Sequence, residues 1–243
     1  MKALVINASP HTDNGNTALI LTPFVEGMRE AGADVEIIYT QNLKIEPCDG
    51  CYTCWFKTPG VCIKKDDMAS VLPKLEAEIL VLAAPLYLDG MAAPLKMLLD
   101  RTIPLLEPFF ELRDGHVRHA ARVKSRDSGK AVLISTCGFW EMDNFDPLTQ
   151  HIKAFCKNAD REFAGALLRP HGIVLKTMIR TGLAIDVIKA AKEAGRQLVQ
   201  QGKISDGTLK TVSRELMPLE KYLETANASI QRALDVNKKK SDG

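Results

Sequence analysis

Short apolar runs alternate with segments of helical periodicity along most of the chain. Residues 2–8 form a short β-type run that ends at a loop, and nearly continuous apolar runs at residues 78–84 and 131–136 predict strands that are buried inside a sheet. Residues 33–40 and 163–168 predict two more strands. The pattern therefore predicts five short strands that are separated by longer connections.

The connections carry apolar residues at helical spacing. Residues 17–31 predict a first helix that stops at Gly32, and three later helices are predicted at residues 66–76, 94–102 and 147–158. Strand–helix alternation of this kind is typical of a doubly wound α/β fold. Five parallel strands fit the flavodoxin-like order, in which a ligand binds at the carboxyl ends of the strands.

The C-terminal part of the chain has a helical pattern without strands. Residues 185–201 predict an amphipathic helix, and residues 206–236 predict two more helical pieces interrupted near Pro218. We therefore divide the chain into an α/β domain at residues 1–184 and a helical extension at residues 185–243. The extension is expected to pack on the same domain or on a partner subunit.

Composition excludes several classes of protein. The chain has 243 residues, 46% of them hydrophobic, and a formal net charge of +2. This charge is too small to favour binding to nucleic acid or to a membrane surface. No apolar run approaches the ~18 residues that span a bilayer, and the first residues lack the pattern of a signal peptide. We expect a cytoplasmic protein with no nucleic-acid or membrane partner.

Four of the six cysteines lie close together, at Cys48, Cys51, Cys54 and Cys62. In a reducing compartment such a group indicates metal or redox chemistry rather than disulfides. Four thiolates can hold a 4Fe–4S cluster or a tetrahedral zinc ion. The compact triple run favours iron–sulfur, since zinc sites more often use two separated C-x2-C pairs. Reduced, unligated thiols are the third interpretation.

The loop between the first strand and the first helix is rich in small polar residues. It runs from Ser9 to Thr17 and leads directly into the helix. Backbone N–H groups and small donors at a helix N-terminus bind phosphate, although an ordinary capped turn has a similar composition. The loop matches neither the P-loop nor the G-x-G-x-x-G pattern, so a nucleoside triphosphate or a dinucleotide of the Rossmann type is not expected.

Two further loops follow predicted strands at the same edge of the sheet. One contains Pro85, Tyr87 and Gly90, and the other contains Thr136 and Gly138. Tyr87 is expected either to stack on a planar ring or to lie partly buried under its loop. Three such loops at one edge predict a site for a phosphorylated, flat, aromatic ligand.

These motifs resemble the NADPH-dependent FMN reductase and iron–sulfur flavoprotein group of flavodoxin-like proteins, over roughly residues 2–170. The resemblance rests on Ser9-Pro10 followed by Gly15-Asn16-Thr17, Pro85-Leu86-Tyr87 followed by Gly90, and Pro94-Leu95-Lys96 followed by Asp100-Arg101, together with the cysteine run. The chain departs from the usual pattern in having Ala8 before Ser9, His11 after Pro10, and a longer gap before Cys62.

The resemblance implies FMN as the cofactor. It implies that the phosphate is held by Ser9, His11, Asn14, Asn16 and Thr17, and that the isoalloxazine ring is bordered by Pro85, Leu86, Tyr87, Gly90, Thr136, Cys137 and Gly138. Cys48, Cys51, Cys54 and Cys62 would be the ligands of a possible 4Fe–4S cluster.

The implied activity is that of an FMN-dependent oxidoreductase. NAD(P)H would reduce bound FMN, which would pass electrons to a quinone, a flavin, an iron–sulfur centre or a protein acceptor. A homodimer or homotetramer is expected. Two alternatives remain at this point: a flavodoxin-like electron carrier that does not itself oxidise NAD(P)H, and a zinc-stabilised binding protein.

Overall fold

A computed structural model describes residues 1–123 and 129–241, with side chains described as far as residue 235. The last two residues of the predicted extension lie outside this range. The central element is a parallel sheet of five strands in the order β2-β1-β3-β7-β8. These strands are β1 (Lys2–Asn7), β2 (Asp34–Tyr39), β3 (Ile79–Tyr87), β7 (Lys130–Thr136) and β8 (Glu162–Arg169).

This order confirms the prediction of a flavodoxin-like doubly wound sheet. The strand order reverses between β1 and β3, because the chain first moves outward to β2 and then crosses back over β1. Loops that follow β1 and β3 therefore diverge and leave a crevice at the carboxyl edge of the sheet.

Side-chain alternation along the strands builds two apolar layers. In β3, for example, Val81 and Ala83 face one layer, whereas Leu80 and Leu82 face the other. The first layer is covered by α1 (Asn16–Glu30), α6 (Gly172–Arg180), α7 (Ile185–Gln201) and α8 (Asp206–Ser213). The second layer is covered by α3 (Met68–Val71), α4 (Ala93–Asp100) and α5 (Asp146–Asn158).

Helix α7 packs closely against α1. A Cβ on Gly195 would lie 2.0 Å from the carbonyl oxygen of Phe24, so only glycine fits at this contact. The first helix of the predicted extension therefore shares a core with the α/β layers.

Several elements differ from the sequence predictions. The helix predicted at residues 66–76 is one α-turn, α3, followed by a 3-10 helix at Leu72–Glu76, because Pro73 interrupts regular α-helical hydrogen bonding. β3 continues to Tyr87 and turns back through β4 (Gly90–Met91). Helix α6 and an antiparallel hairpin of β5 (Leu106–Arg113) and β6 (His116–Ala121) were not predicted.

The remaining helices are α2 (Thr53–Phe56), within the cysteine segment, and α9 (Leu219–Ser241). The predicted break near Pro218 is observed between α8 and α9. Within the described residues, none of these helices combines the length and the apolar composition that a membrane crossing requires.

Candidate functional site

The carboxyl edge of the sheet brings the three predicted loops together. Thr17, at the start of α1, and Thr136, the last residue of β7, are both buried, and their hydroxyl oxygens lie 3.0 Å apart. This hydrogen bond joins residues that are 119 positions apart in the chain. The loop after β1 and the loop after β7 therefore meet at a fixed distance.

The loop after β1 is folded by contacts within itself. The N–H of Ser9 donates to Oδ1 of Asn7 at 3.0 Å, and Ser9 is buried. A Cβ on Gly15 would lie 2.7 Å from Oγ of Ser9, so glycine allows this tight turn into α1. Of the residues predicted to bind phosphate, Ser9 and Thr17 are buried, whereas His11, Asn14 and Asn16 are exposed.

The N-terminus of α1 suits an anion. No side chain within residues 1–123 and 129–235 caps this end of the helix. The first N–H groups of a helix have no intrahelical partner and carry a partial positive charge. The exposed Asn14 and Asn16 lie beside these groups.

The loop after β3 is a tight turn that presents apolar side chains to solvent. Tyr87 pairs with Gly90, while Leu88 and Asp89 have φ angles of +45° and +58°. Tyr87 is 50% exposed and Leu88 is fully exposed. Pro85 is half-buried and Leu86 is buried, so they form the fixed base of the turn.

The loop after β7 is held by the loop after β8. The N–H of Cys137 donates to the carbonyl of Arg169 at 3.1 Å, and that of Gly172 donates to the carbonyl of Cys137 at 2.8 Å. Within the described residues, the N–H groups of Gly138 and Phe139 donate to no backbone carbonyl. Gly138 and Phe139 are exposed, so this part of the loop lies at the surface.

Cys137 is buried at the base of the same loop. Burial raises the pKa of its thiol, and the backbone of Phe139 partly opposes this effect. The thiol donates to the carbonyl of Phe139 at 3.6 Å. The thiol is therefore protonated near neutral pH and is not a thiolate nucleophile.

A buried polar cluster of Arg169 and His171 lies behind this loop, and no pattern in the sequence predicts the contact between them. Arg169 and His171 are at most 1% exposed, and the guanidinium donates to Nδ1 of His171 at 2.9 Å. Burial, with the nearby charge of Arg169, lowers the pKa of His171 to about 4. Because a guanidinium can only donate, the neutral imidazole carries its proton on Nε2. Trp140 and Tyr222 contact the ring edge to face, each 5.4 Å from it.

The four clustered cysteines line one small pocket. Cys48 and Cys51 are exposed, Cys62 is half-buried and Cys54, in α2, is buried. Burial and the neighbouring Cys62 raise the pKa of the Cys54 thiol, whereas a hydrogen bond from the Thr53 side chain lowers that of Cys51. The thiols thus occupy different environments around a common space.

Arg101 provides a buried positive charge in this pocket. It is 1% exposed, and its guanidinium makes a bidentate pair with Asp66 at 2.7 and 3.0 Å. It also donates to Sγ of Cys62 at 3.4 Å and to the carbonyl of Glu46 at 2.7 Å. Arg101 belongs to the Pro94-Leu95-Lys96…Asp100-Arg101 motif, but its contact with the cysteines is not evident from the sequence.

The donor set of this pocket is four thiols, which is the ligand type of thiolate-bound metal centres. Within residues 1–123 and 129–235, no three His, Cys, Asp or Glu side chains lie close enough to bind one metal ion. Each thiolate of a cubane binds a different iron, so its sulfurs stand further apart than four sulfurs that share one zinc. Four thiols around one pocket, beside a buried cation, fit an anionic cluster.

A larger cavity, of ≈ 1710 Å³, lies at the opposite edge of the sheet. Its walls include Glu78, Lys130 and Arg161, close to the amino ends of the strands, and part of the β5–β6 hairpin. It contains none of the predicted phosphate or ring residues, so size alone does not identify the site.

Comparison of the sequence with known proteins finds a family model and curated relatives. Residues 1–138 match the family model of NADPH-dependent FMN reductases. An iron–sulfur flavoprotein of Methanocaldococcus jannaschii is 36% identical over 135 residues, which cover 55% of this chain and 68% of the relative. An iron–sulfur flavoprotein of Archaeoglobus fulgidus is 36% identical over 103 residues, which cover 42% of this chain and only 49% of that relative.

The fold is also found in solved structures. An FMN-dependent NADH-azoreductase from Bacillus anthracis, crystallised with FMN, has a TM-score of 0.61 and 17% sequence identity. The match covers 82% of this chain and 99% of the azoreductase, so it shows a common fold. The family model covers more than half of the chain and includes the loops after β1 and β3 and the first two residues of the loop after β7. The chain belongs to the NADPH-dependent FMN reductase family of flavoprotein oxidoreductases.

Proposed function

We propose that the chain binds FMN at the carboxyl edge of the sheet and uses NAD(P)H to reduce it. The observation that supports this most directly is the meeting of the loops after β1 and β7 at the Thr17–Thr136 hydrogen bond. This hydrogen bond places the N-terminus of α1 beside the loop after β7. A helix N-terminus suits the flavin phosphate, and a loop with backbone N–H donors suits the polar edge of the flavin ring.

The phosphate is held by the loop after β1. The exposed side chains of His11, Asn14 and Asn16 lie beside the N-terminus of α1, and Ser9 and Thr17 fix the loop from below. Partial positive charge at the helix end, rather than a salt bridge, offsets the charge of the phosphate.

The isoalloxazine ring is bordered by the other two loops. Pro85, Leu86, Tyr87 and Gly90 provide the apolar wall, and Thr136, Cys137 and Gly138 the opposite border. The N–H groups of Gly138 and Phe139, which donate to no backbone carbonyl of the described residues, suit the carbonyl oxygens on the pyrimidine edge of the isoalloxazine ring.

FMN supplies the hydride and electron transfer, so no protein side chain is required as a catalyst. The chain binds the phosphate, orients the ring and leaves one ring face open to NAD(P)H. The electron acceptor is a quinone, a flavin, an iron–sulfur centre or a protein. The chain forms a homodimer or a homotetramer. Exposed Leu88, Phe139 and Ile173 near the site give it an apolar rim that suits such partners.

We also propose that Cys48, Cys51, Cys54 and Cys62 hold a 4Fe–4S cluster. Four thiols around one pocket and the buried guanidinium of Arg101 support this assignment. A positive charge that donates to a ligand sulfur stabilises the net negative charge of a thiolate cluster. The names of the two relatives agree with it.

The cofactor proposals are tested by counting FMN, iron and sulfide in protein purified without oxygen. We expect one FMN per chain, identified by chromatography after acid release, and about four iron atoms. In Cys54→Ser, iron should fall to background while FMN stays at one per chain, because Cys54 lies in the cysteine pocket and outside the three flavin loops.

Cys156→Ala is the matched control, since Cys156 is buried in α5 and does not line the cysteine pocket. It should retain both cofactors. Colourless protein that contains zinc would overturn the FMN and the cluster proposals together. Bound FMN with no iron in wild type or in Cys156→Ala would overturn the cluster proposal alone.

A further inference from the structure

The loop after β7 is held by three hydrogen bonds to consecutive carbonyl groups. The carbonyl of Cys137 accepts from the N–H of Gly172 at 2.8 Å, and that of Phe139 accepts from the N–H of His171 at 2.9 Å. The carbonyl between them, of Gly138, accepts from the hydroxyl of Tyr222. The first two donors come from the turn after β8, but the third comes from α9 and lies 84 positions after Gly138 in the chain.

The peptide plane makes this third bond relevant to a ligand. In a trans peptide the carbonyl and the following N–H point in opposite directions. A carbonyl of Gly138 that is held toward Tyr222 therefore turns the N–H of Phe139 away from α9. Glycine restrains its own backbone less than any other residue, so this peptide depends on the contact for its orientation.

Helix α9 is itself firmly attached at this point. Tyr222 is 4% exposed and packs with Met217, Val174 and Ala226, and Nε1 of Trp140 donates to the carbonyl of Met217 at 3.1 Å. The hydroxyl of Tyr222 is therefore presented to the loop from a fixed position.

Buried Arg169 anchors the segment that leads into α9. Its guanidinium donates to the carbonyls of Val212 and Arg214, both at 2.6 Å. Burial lowers the pKa of Arg169 to about 10, which still leaves the side chain protonated near neutral pH. The end of β8, the C-terminal segment and the loop after β7 thus form one hydrogen-bonded unit.

We propose that Tyr222 is a positioning residue for the flavin ring, and that it acts by holding the Gly138–Phe139 peptide with its N–H directed at the cofactor. This inference rests on the proposed binding of FMN. It gives the C-terminal helical segment a role in the flavin site that neither its distance in sequence nor its composition indicates.

The test is the affinity of apoprotein for FMN and for riboflavin in wild type and in Tyr222→Phe, which removes only the hydroxyl. We expect both ligands to bind about three- to ten-fold more weakly, as for the loss of one hydrogen bond, because the contact orients the ring and not the phosphate. The visible absorption band of the bound flavin should also shift, since a hydrogen bond to the ring is altered.

Ser205→Ala is the control for stability alone. Oγ of Ser205 accepts from the N–H of Thr208 at 3.2 Å and caps α8, remote from the loop. This variant should lower the melting temperature without changing flavin affinity or spectrum. If wild type binds FMN and Tyr222→Phe binds it equally well with the same spectrum, the positioning role is wrong. If wild type binds no FMN, the proposed function itself has failed.

Discussion

Replacing Asn16 with aspartate should weaken FMN binding roughly 30- to 100-fold without destabilising the protein. Asn16 is exposed at the first position of α1, beside the proposed phosphate site. A carboxylate about 5 Å from a phosphate of charge near −2 costs about 2–3 kcal/mol in a partly exposed site. The same carboxylate is favourable to the helix itself, because it lies at the positive end of the helix dipole.

Riboflavin provides the internal control, since it has the ring but no phosphate. Asn16→Asp should bind riboflavin with the affinity of wild type, and the free energy of unfolding of the apoprotein should be unchanged or slightly raised. Equal losses of FMN and riboflavin affinity would mean that the loop after β1 does not hold the phosphate. The pattern also differs from that of Tyr222→Phe, in which both ligands weaken together.

The second large effect is expected at the buried ion pair beside the cysteines. Arg101→Ala should lower the free energy of unfolding by about 3–5 kcal/mol, because it leaves the Asp66 carboxylate buried without its partner. The two side chains are only 1% and 5% exposed, so water cannot replace the lost contacts. Urea denaturation of the apoprotein measures the effect without interference from a cluster.

The pH dependence of this effect has a definite sign. Burial alone would raise the pKa of Asp66, but hydrogen bonds from Arg101 and from the backbone outweigh it and the pKa is lowered. A lowered pKa stabilises the fold above the pKa of the unfolded state, and that contribution is lost as the pH falls through the folded-state value. The difference between wild type and Arg101→Ala should therefore shrink in acid.

Lys96→Ala is a matched control in α4, the helix that ends just before Arg101. Lys96 pairs with Asp100 at 2.6 Å, but these side chains are 46% and 49% exposed. Its loss should cost about 0.5 kcal/mol or less, because solvent screens an exposed pair. Similar losses for Lys96→Ala and Arg101→Ala would contradict a special role for the buried pair.

Strand periodicity was sufficient to predict the sheet. The apolar runs at β1, β3 and β7 are buried on both faces, so their sequences carry no helical pattern and few alternatives. Five such strands fit the flavodoxin-like order, which is the order observed.

The β5–β6 hairpin was missed although a local signal was present. Asp114 and Gly115 form its turn with φ angles of +50° and +74°, and an Asp-Gly pair between two β-type runs is a strong hairpin signal. The flanking strands are half-buried or exposed, with Phe109, Phe110 and Leu112 facing solvent, so polar and apolar residues do not alternate clearly.

The site was only partly predictable for a different reason. The loops at Ser9, Pro85 and Thr136 each follow a recognisable strand, so their meeting follows from the fold. The contacts of Arg101 with Cys62, and of Tyr222 with Gly138, join residues 39 and 84 positions apart. Such contacts depend on packing between elements, which no local pattern in the sequence encodes.

The proposal that NAD(P)H reduces bound FMN is tested by adding NADPH to the purified protein without oxygen and following the visible absorbance of its flavin. We expect about one equivalent of NADPH per flavin to bleach the absorbance of bound FMN, and the absorbance to return when an electron acceptor is added. A protein that contains no flavin, or whose flavin stays oxidised with both NADPH and NADH, would contradict it.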